Sequence, residues 1–448
     1  MIDHGTLHAG LTRVASRAGL GALAGEPQRL TGGAVMESWR FGAGGESFVL
    51  RRAPSPAFMD GRPYGHSTEA ALIEAARAKG VTAPEVVAVL EPEDGLGSGF
   101  VMRALPGTAD PKVVLDCDDP DGLLREIACD LARIHRLQQA DVPAGVPVMD
   151  YRAAIEDLKA QFMDAGGDRP IIALGLRWLE DNCPAPVEPV LNHGDYRMGN
   201  LLVEGSALTG VLDWELAHFG DRDEDLAFGC MAVWRFARYD RPALGLGSTA
   251  AYITAYEAEA GVAIDPARFR FWTIYRTVWW ALGCLKMAAQ WRSGADRMLE
   301  RVVISRRTSE QELDLLLLLE EDAPEAERAR PLEPKILPGS ATGEADYGEI
   351  AIASSEWLAT IKDRLEGHDR FQLAVARNAL GILSRESDSV VFDFFYHALA
   401  QRILAGTDGL QREHVLASLR RDVLAKVEVD SPKYPALAHA RKKWTGEE

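Results

Sequence analysis

The sequence predicts an α+β chain, β-rich at its start and mainly helical after that, with a helical bundle at its end. Three observations carry this. Strand-like runs broken by glycine turns fill much of the first hundred residues, and apolar residues at helical spacing dominate later. Near residue 320, the acidic stretch Glu320-Glu-Asp-Ala-Pro-Glu-Ala-Glu327 leads into a segment punctuated by Pro331, Pro334, Pro338, Gly339 and Gly343. At 448 residues the chain has room for roughly two or three domains, and 47% apolar residues suffice for their cores. The expected divisions are a β-rich part over 1–104, a mainly helical part over 105–320, a linker over 321–347 and a helical accessory domain over 348–448.

In chain order, Arg29-Leu-Thr-Gly-Gly33-Ala-Val-Met-Glu-Ser-Trp39 reads as strand, glycine turn and strand. Ser47-Phe-Val-Leu-Arg-Arg52 is the next strand and ends in two cations. Ser67-Thr-Glu69 opens a helix, with Ser67 suited to the N-cap, Leu72, Ile73 and Ala76 to its buried stripe, and Gly80 to the position past its end. Gly99-Phe-Val-Met102-Arg-Ala-Leu-Pro-Gly107 is a strand entering a Pro-Gly turn. Leu201-Leu-Val203 and Leu208 to Leu212 form a hairpin around Glu204-Gly-Ser206. Trp272, Tyr275, Arg276 and Trp279 recur at helical spacing, and such a stripe packs a core more often than it lines a pocket. Leu315 to Leu319 is too short to span a bilayer and reads as a buried helix. Beyond the linker lie four apolar segments: Trp357 to Leu365, Phe371 to Ile382, Val390 to Leu404, and Val415 to Val427. Ordinary solvated faces explain the polar positions His368, Asp369, Arg370, Arg377 and Asn378 among them.

The chemistry concentrates in His193-Gly-Asp-Tyr-Arg-Met-Gly-Asn200 and Val211-Leu-Asp213-Trp-Glu215. Asp195 and Asn200 stand five apart, and the hairpin brings Asp213 back beside Asn200. Phosphoryl transfer needs that set: a base for the attacking hydroxyl and two oxygen ligands for magnesium beside ATP. An isolated His-Gly-Asp is an ordinary turn. A hairpin of this length with a second acid at its end reverses that reading.

With Gly220-Asp-xxx-Asp-Leu-Ala227, these motifs resemble the active site of aminoglycoside phosphotransferase and choline kinase-like enzymes. The subgroup is similar to the kinase region of certain acyl-CoA dehydrogenases. The resemblance implies a bilobal protein-kinase-like fold over roughly residues 10–320, with ATP (or GTP) and magnesium as cofactors. It implies Asp195 as catalytic base, Asn200 and Asp213 as magnesium ligands, Asp225 as a brace of the loop and His193 as a structural member of it. Gly32 and Gly33 would cover the nucleotide phosphates, and the backbone from Met102 to Ala104 would meet the adenine edge. Arg51 falls where kinases carry a phosphate-binding lysine, with Arg52 as the alternative and Glu69 as its partner acid. Arginine there is a departure, because its planar fork is not a substitute for an ammonium. The C-terminal segment resembles a helical domain of unknown function found with such phosphotransferases.

A protein substrate is disfavoured. Only twelve positions separate Asp213 from Asp225, no Ala-Pro-Glu follows, and no arginine stands between His193 and Asp195. The acceptor is therefore expected to be a small molecule with a hydroxyl. A net charge of −18 argues against nucleic acid and anionic membranes as partners. Residues 231–310 nevertheless carry 12 Lys or Arg against 7 Asp or Glu, which suits an anionic or neutral acceptor such as a hydroxylated acyl-CoA or hydroxy acid. Trp234, Trp272 and Arg276 are the residues expected to line its site. Five cysteines without a CxxC pair, and a start lacking a basic end and apolar run, predict a cytoplasmic protein. Two other classes fit less well. The arginine at position 51 suits a pseudokinase-like nucleotide-binding regulatory module. A metal-dependent hydrolase would use His193, Asp195 and Asp213, but further histidines at metal-ligand spacing are missing.

Overall fold

Alternation along two strands decides how the small lobe is built. In the strands β1 (Leu23–Arg29), β2 (Glu37–Ala43) and β3 (Glu46–Arg52), the residues Trp39, Phe41, Ala43, Phe48 and Leu50 face one side. There they pack on Leu7, Leu11 and Val14 of the His4–Arg17 helix. Side chains two apart share a face, so Arg52 follows Leu50 to that side while Arg51 points to the other. The Gly44-Gly45 turn joins β2 to β3 with both residues at positive φ, the conformation a two-residue hairpin requires. With β4 (Val86–Val89) and β5 (Gly99–Arg103) the sheet is antiparallel throughout, in the order β1-β2-β3-β5-β4.

The computed structural model describes residues 2–30, 36–296, 298–332, 347–386 and 396–446. The glycine turn containing Gly32 and Gly33 lies outside them, as does part of the Val390 to Leu404 segment. The helix after β3 spans His66–Ala78 and buries Leu72, Ile73 and Ala76 as its stripe predicts. Its start differs from expectation. Gly65 is the N-cap, so Ser67 falls inside the first turn and makes no cap bond. Gly80, at φ +85°, follows the C-cap Lys79 as predicted.

The large lobe is helical around two small sheets. Strand β6 (Val190–Asn192) pairs with β9 (His218–Gly220), and β7 (Leu201–Glu204) with β8 (Ala207–Val211). Asp-Pro pairs start three of the helices, Pro111–Val114, Pro120–Ile134 and Pro266–Ser293. In each, the aspartate side chain caps a backbone N–H while proline occupies a position needing no donor. Thr308–Leu319 is buried almost all round, in agreement with its leucine run. No helix among the described residues is long and apolar enough to cross a membrane. The chain thus adopts a bilobal kinase-like fold, small sheet over large helical lobe.

The C-terminal helices Tyr347–Thr360, Gly367–Glu386, Tyr396–Leu404, Val415–Asp430 and Pro435–Thr445 follow. The last of these carries no clear stripe in the sequence. Leu416, Leu419 and Val423 join Leu313 and Leu316 of the large lobe in one core. Glu320, at the large lobe's end, accepts from Arg420 (2.6 Å) and from the Trp444 indole (2.8 Å) and pairs with Lys443 (2.5 Å). The stretch after it is not bare linker, since Glu325–Arg328 is a helical turn whose Glu327 accepts from the His414 amide. Leu316 is fully buried in the shared core. Leu316→Ala is expected to cost about 3 kcal/mol of unfolding free energy, read from urea denaturation; a cost below about 1 kcal/mol would deny the shared core.

Candidate active site

The loop from His193 to Asn200 leaves β6 and enters β7, and buried polar groups hold it at several points. Asp225, near the start of the Arg222–Cys230 helix, accepts from the His193 N–H (2.6 Å) and the Gly194 N–H (2.8 Å). The ring of His135 lies 3.3 Å from the same carboxylate. Burial alone would raise the Asp225 carboxyl, but His135 and these donors outweigh it and hold the group at about 2. Gly194 has φ +81°, and a Cβ there would sit 2.3 Å from the Leu216 carbonyl oxygen, so no other residue fits without moving backbone. Its own carbonyl accepts from Arg276 Nη2 at 2.8 Å. One peptide is therefore clamped on both sides.

Within that frame Asn200 Nδ2 donates to the Asp195 carbonyl (3.0 Å) and to Asp195 Oδ2 (2.6 Å). Arg197 Nε donates to Asp195 Oδ1 at 2.7 Å, and its guanidinium lies 4.2 Å from the Trp234 ring centre. The Asp195 carboxyl is raised, first by burial and also by the charge of Asp213, with Arg197 opposing both. The hairpin delivers Asp213 to Asn200 as its length predicts, and the Leu212 N–H donates to the Asn200 carbonyl at 2.8 Å. Asp213 adopts φ +70°, a conformation that aspartate tolerates better than most residues. Asn200 commits its amide nitrogen to Asp195, and among the described residues no hydrogen bond reaches its side-chain oxygen. An amide oxygen and a neighbouring carboxylate are hard donors, so this pair fits magnesium.

Arg51 crosses from the small lobe into a cluster of carboxylates. Its Nη2 lies 2.5 Å from Asp213 Oδ1 and 2.7 Å from Glu215 Oε2, while Nε lies 3.2 Å from Glu69 Oε1. Arg62 adds a second cation at 2.8 Å from Glu215. Burial raises the Glu69 carboxyl to about 7, with Arg51 offsetting part of the effect. Arg52 does not share the site: it bonds Glu37 (2.5 Å) and the Leu96 carbonyl (2.8 Å) on the far face of the sheet. Met102 lies in β5, paired with Val49 and Val86. The Ala104 N–H donates to the Ser47 carbonyl at 2.9 Å, because strand pairing continues past the end of β5. That amide is thus already committed to the sheet.

The structure separates the three aromatic-region residues. Trp234 reaches the catalytic loop through Arg197. Trp272 is buried among Tyr151, Phe271 and Tyr275 at 5.0–5.2 Å, a core position. Arg276 is buried too, paired with Glu224 (2.8 Å) and stacked between Phe228 and Trp279. It braces the loop rather than facing open space. The cationic excess of residues 231–310 is likewise drawn into pairs with acids from elsewhere, including Arg238 with Asp116, Arg268 with Asp221 and Arg306 with Asp430. His193 offers no nitrogen to a transition metal: Nδ1 accepts from the Asp195 N–H and Nε2 contacts the Leu212 carbonyl. The hydrolase ligand set fails on that ground.

Sequence reasoning overlooked Arg197, Glu215, Arg62, Glu224 and His135. Arg197 and Glu215 lay inside the quoted motifs, and their charge alone could have singled them out. Glu224 likewise lay inside the Gly220 to Ala227 motif, and nothing in the sequence marks Arg62 or His135.

A family model described as a phosphotransferase enzyme family matches residues 26–272. The chain is 27% identical over 235 residues to acyl-CoA dehydrogenase family member 10 of Mus musculus; the match covers 48% of this chain and only 22% of that protein. A crystal structure of a Ralstonia eutropha protein, provisionally described as an aminoglycoside phosphotransferase, superposes with a TM-score of 0.56 at 19% identity. It covers 70% of this chain and 98% of its own. The apo form of a thermostable mutant of aminoglycoside phosphotransferase APH(4)-Ia gives 0.51 at 16%, covering 72% and 99%. At such identities the likeness is one of fold.

Asp225→Asn should lower stability at pH 7 by about 2–3 kcal/mol, since an amide cannot accept from both N–H groups. The sign with pH follows from the depressed carboxyl. Its contribution is complete above the ordinary aspartate value and is lost as pH falls through about 2. Urea unfolding of both proteins should therefore show the gap closing toward pH 2; a gap independent of pH would contradict the assignment.

Proposed function

Since the chain belongs to the phosphotransferase enzyme family, we propose that it transfers the terminal phosphoryl group of ATP to a hydroxyl of a small molecule. The observation that carries this is the convergence of Asp195, Asn200 and Asp213 across one hairpin. Asp195 would accept the proton of the attacking hydroxyl, and its raised pKa suits a base that must take a proton and release it. The Asn200 side-chain oxygen and Asp213 would hold magnesium, which neutralises phosphate charge when bound. Arg51, steadied by Glu69, is the cation assigned to the nucleotide phosphates. Arg276, Asp225 and His193 keep the loop in position.

The acceptor proposed is an anionic or acyl-CoA-type hydroxy compound. Two observations support it: the mouse relative's name and the Arg197 cation beside Asp195, backed by the buried Trp234 ring. A screen of hydroxylated metabolites and acyl-CoAs with labelled ATP, read by mass, tests the class. A product only with polycationic acceptors would overturn it.

Asp195→Ala should lower kcat by about 10³-fold while nucleotide affinity measured by calorimetry stays within about twofold; retained turnover would refute the base. Arg197→Gln removes a charge that favours ionised Asp195, so the Asp195 pKa should rise. The acid limb of the kcat profile should then move to higher pH by roughly one unit. A shift to lower pH, or none, would detach Arg197 from the base.

A further inference from the structure

A concavity of 480 Å³ lies between the large lobe and the C-terminal helices, apart from the catalytic loop. Four cations and two acids stand on its wall. Glu310 is paired with Arg307 (3.0 Å) and Asp430 with Arg306 (2.6 Å), so both acids are already matched. Arg377, Arg385 and Lys433 remain, and among the described residues none of these three has a carboxylate at ion-pair distance.

The two arginines are built into the site rather than scattered over a surface. Arg377, Gly381 and Arg385 recur four apart on the Gly367–Glu386 helix and so share one face. Gly381 leaves room for the Arg385 guanidinium, whose Nη1 lies 3.1 Å from where a Cβ would be. Arg385 Nε is fixed to the Val429 carbonyl at 2.7 Å. The Arg377 side chain is half-buried, and its Nε is buried with no hydrogen-bond partner. Burial lowers the Arg385 pKa and the charge of Asp430 offsets only part of that. Two guanidinium groups partly withdrawn from water with no carboxylate at ion-pair distance leave unmatched positive charge on this wall, and an anion would answer it. Val233, Phe236 and Tyr434 supply apolar wall beside these cations.

We propose that this pocket binds a phosphate-bearing small molecule, with the phosphate on Arg377 and Arg385, Lys433 assisting, and an organic part against Phe236 and Tyr434. Paired guanidinium forks match phosphate oxygens, whereas one ammonium would act only as a point charge. The inference does not depend on the catalytic reading, because none of these residues belongs to that site.

Calorimetric titration of the full chain with phenyl phosphate and with inorganic phosphate tests it. Saturable binding is expected, weakened about tenfold by Arg377→Gln and by Arg385→Gln. The exposed Arg125→Gln, a charge-matched control, should leave it unchanged. Tighter binding of phenyl phosphate identifies an ester as occupant; equal affinity identifies free phosphate. Arg377 Nε has no partner to lose, so Arg377→Gln decides the matter even if Arg385→Gln unfolds, and melting curves report which variants are folded. No saturable heat, or affinity equal in wild type and Arg377→Gln, overturns the site.

Discussion

Everything in the loop from His193 to Asn200 depends on how the Gly194 peptide is held. Its N–H goes to Asp225 and its carbonyl to Arg276, two side chains from different helices. Each of these is locked in turn, Asp225 by His135 and Arg276 by Glu224 and two aromatic rings. Glu224 also contacts His218 and Asn192, so the strands flanking the loop share the same network. Buried charges in such a network are tolerable because nearly every donor has an acceptor. The placement of Asp195 is thus inherited from buried groups behind the loop.

A second constraint is charge balance between the lobes. Glu69, Asp213 and Glu215 bring three carboxylates to one place, and Arg51 and Arg62 answer them. The strand arginine is thus more than a replaced lysine. Its guanidinium meets three acids at once, Glu69 through Nε and Asp213 and Glu215 through Nη2, which a single ammonium does less well, and this gives a physical reason for the departure from the usual residue. The same contacts tie the small-lobe sheet to the hairpin of the large lobe.

The fold was legible where periodicity was clean. The strand cations, the hairpin around Gly205, the helix ending before Gly80 and the leucine helix all appear as read. Ser67 misled because an N-cap is chosen by backbone conformation at the turn, and Gly65 fits that turn too. Arg51 and Arg52 differ by one position and so by a whole face of the sheet, a distinction available from the pattern of Phe48 and Leu50. Trp272 and Arg276 could not be assigned from spacing alone, because a helix buried on several sides presents no single interior stripe. The surplus of cations in residues 231–310 misled for a related reason: sequence shows charges but not the distant acids that meet them.

Glu320 draws together Arg420, Lys443 and Trp444 across 100 or more positions of chain. Such distant pairing ties the large lobe's completion to late synthesis. A ribosome would have to release residues well past 420 before Leu316 and its neighbours gained their final cover, leaving a leucine-rich surface open during translation. Nascent chains of this protein should accordingly depend on chaperones for longer than the catalytic motifs alone would require.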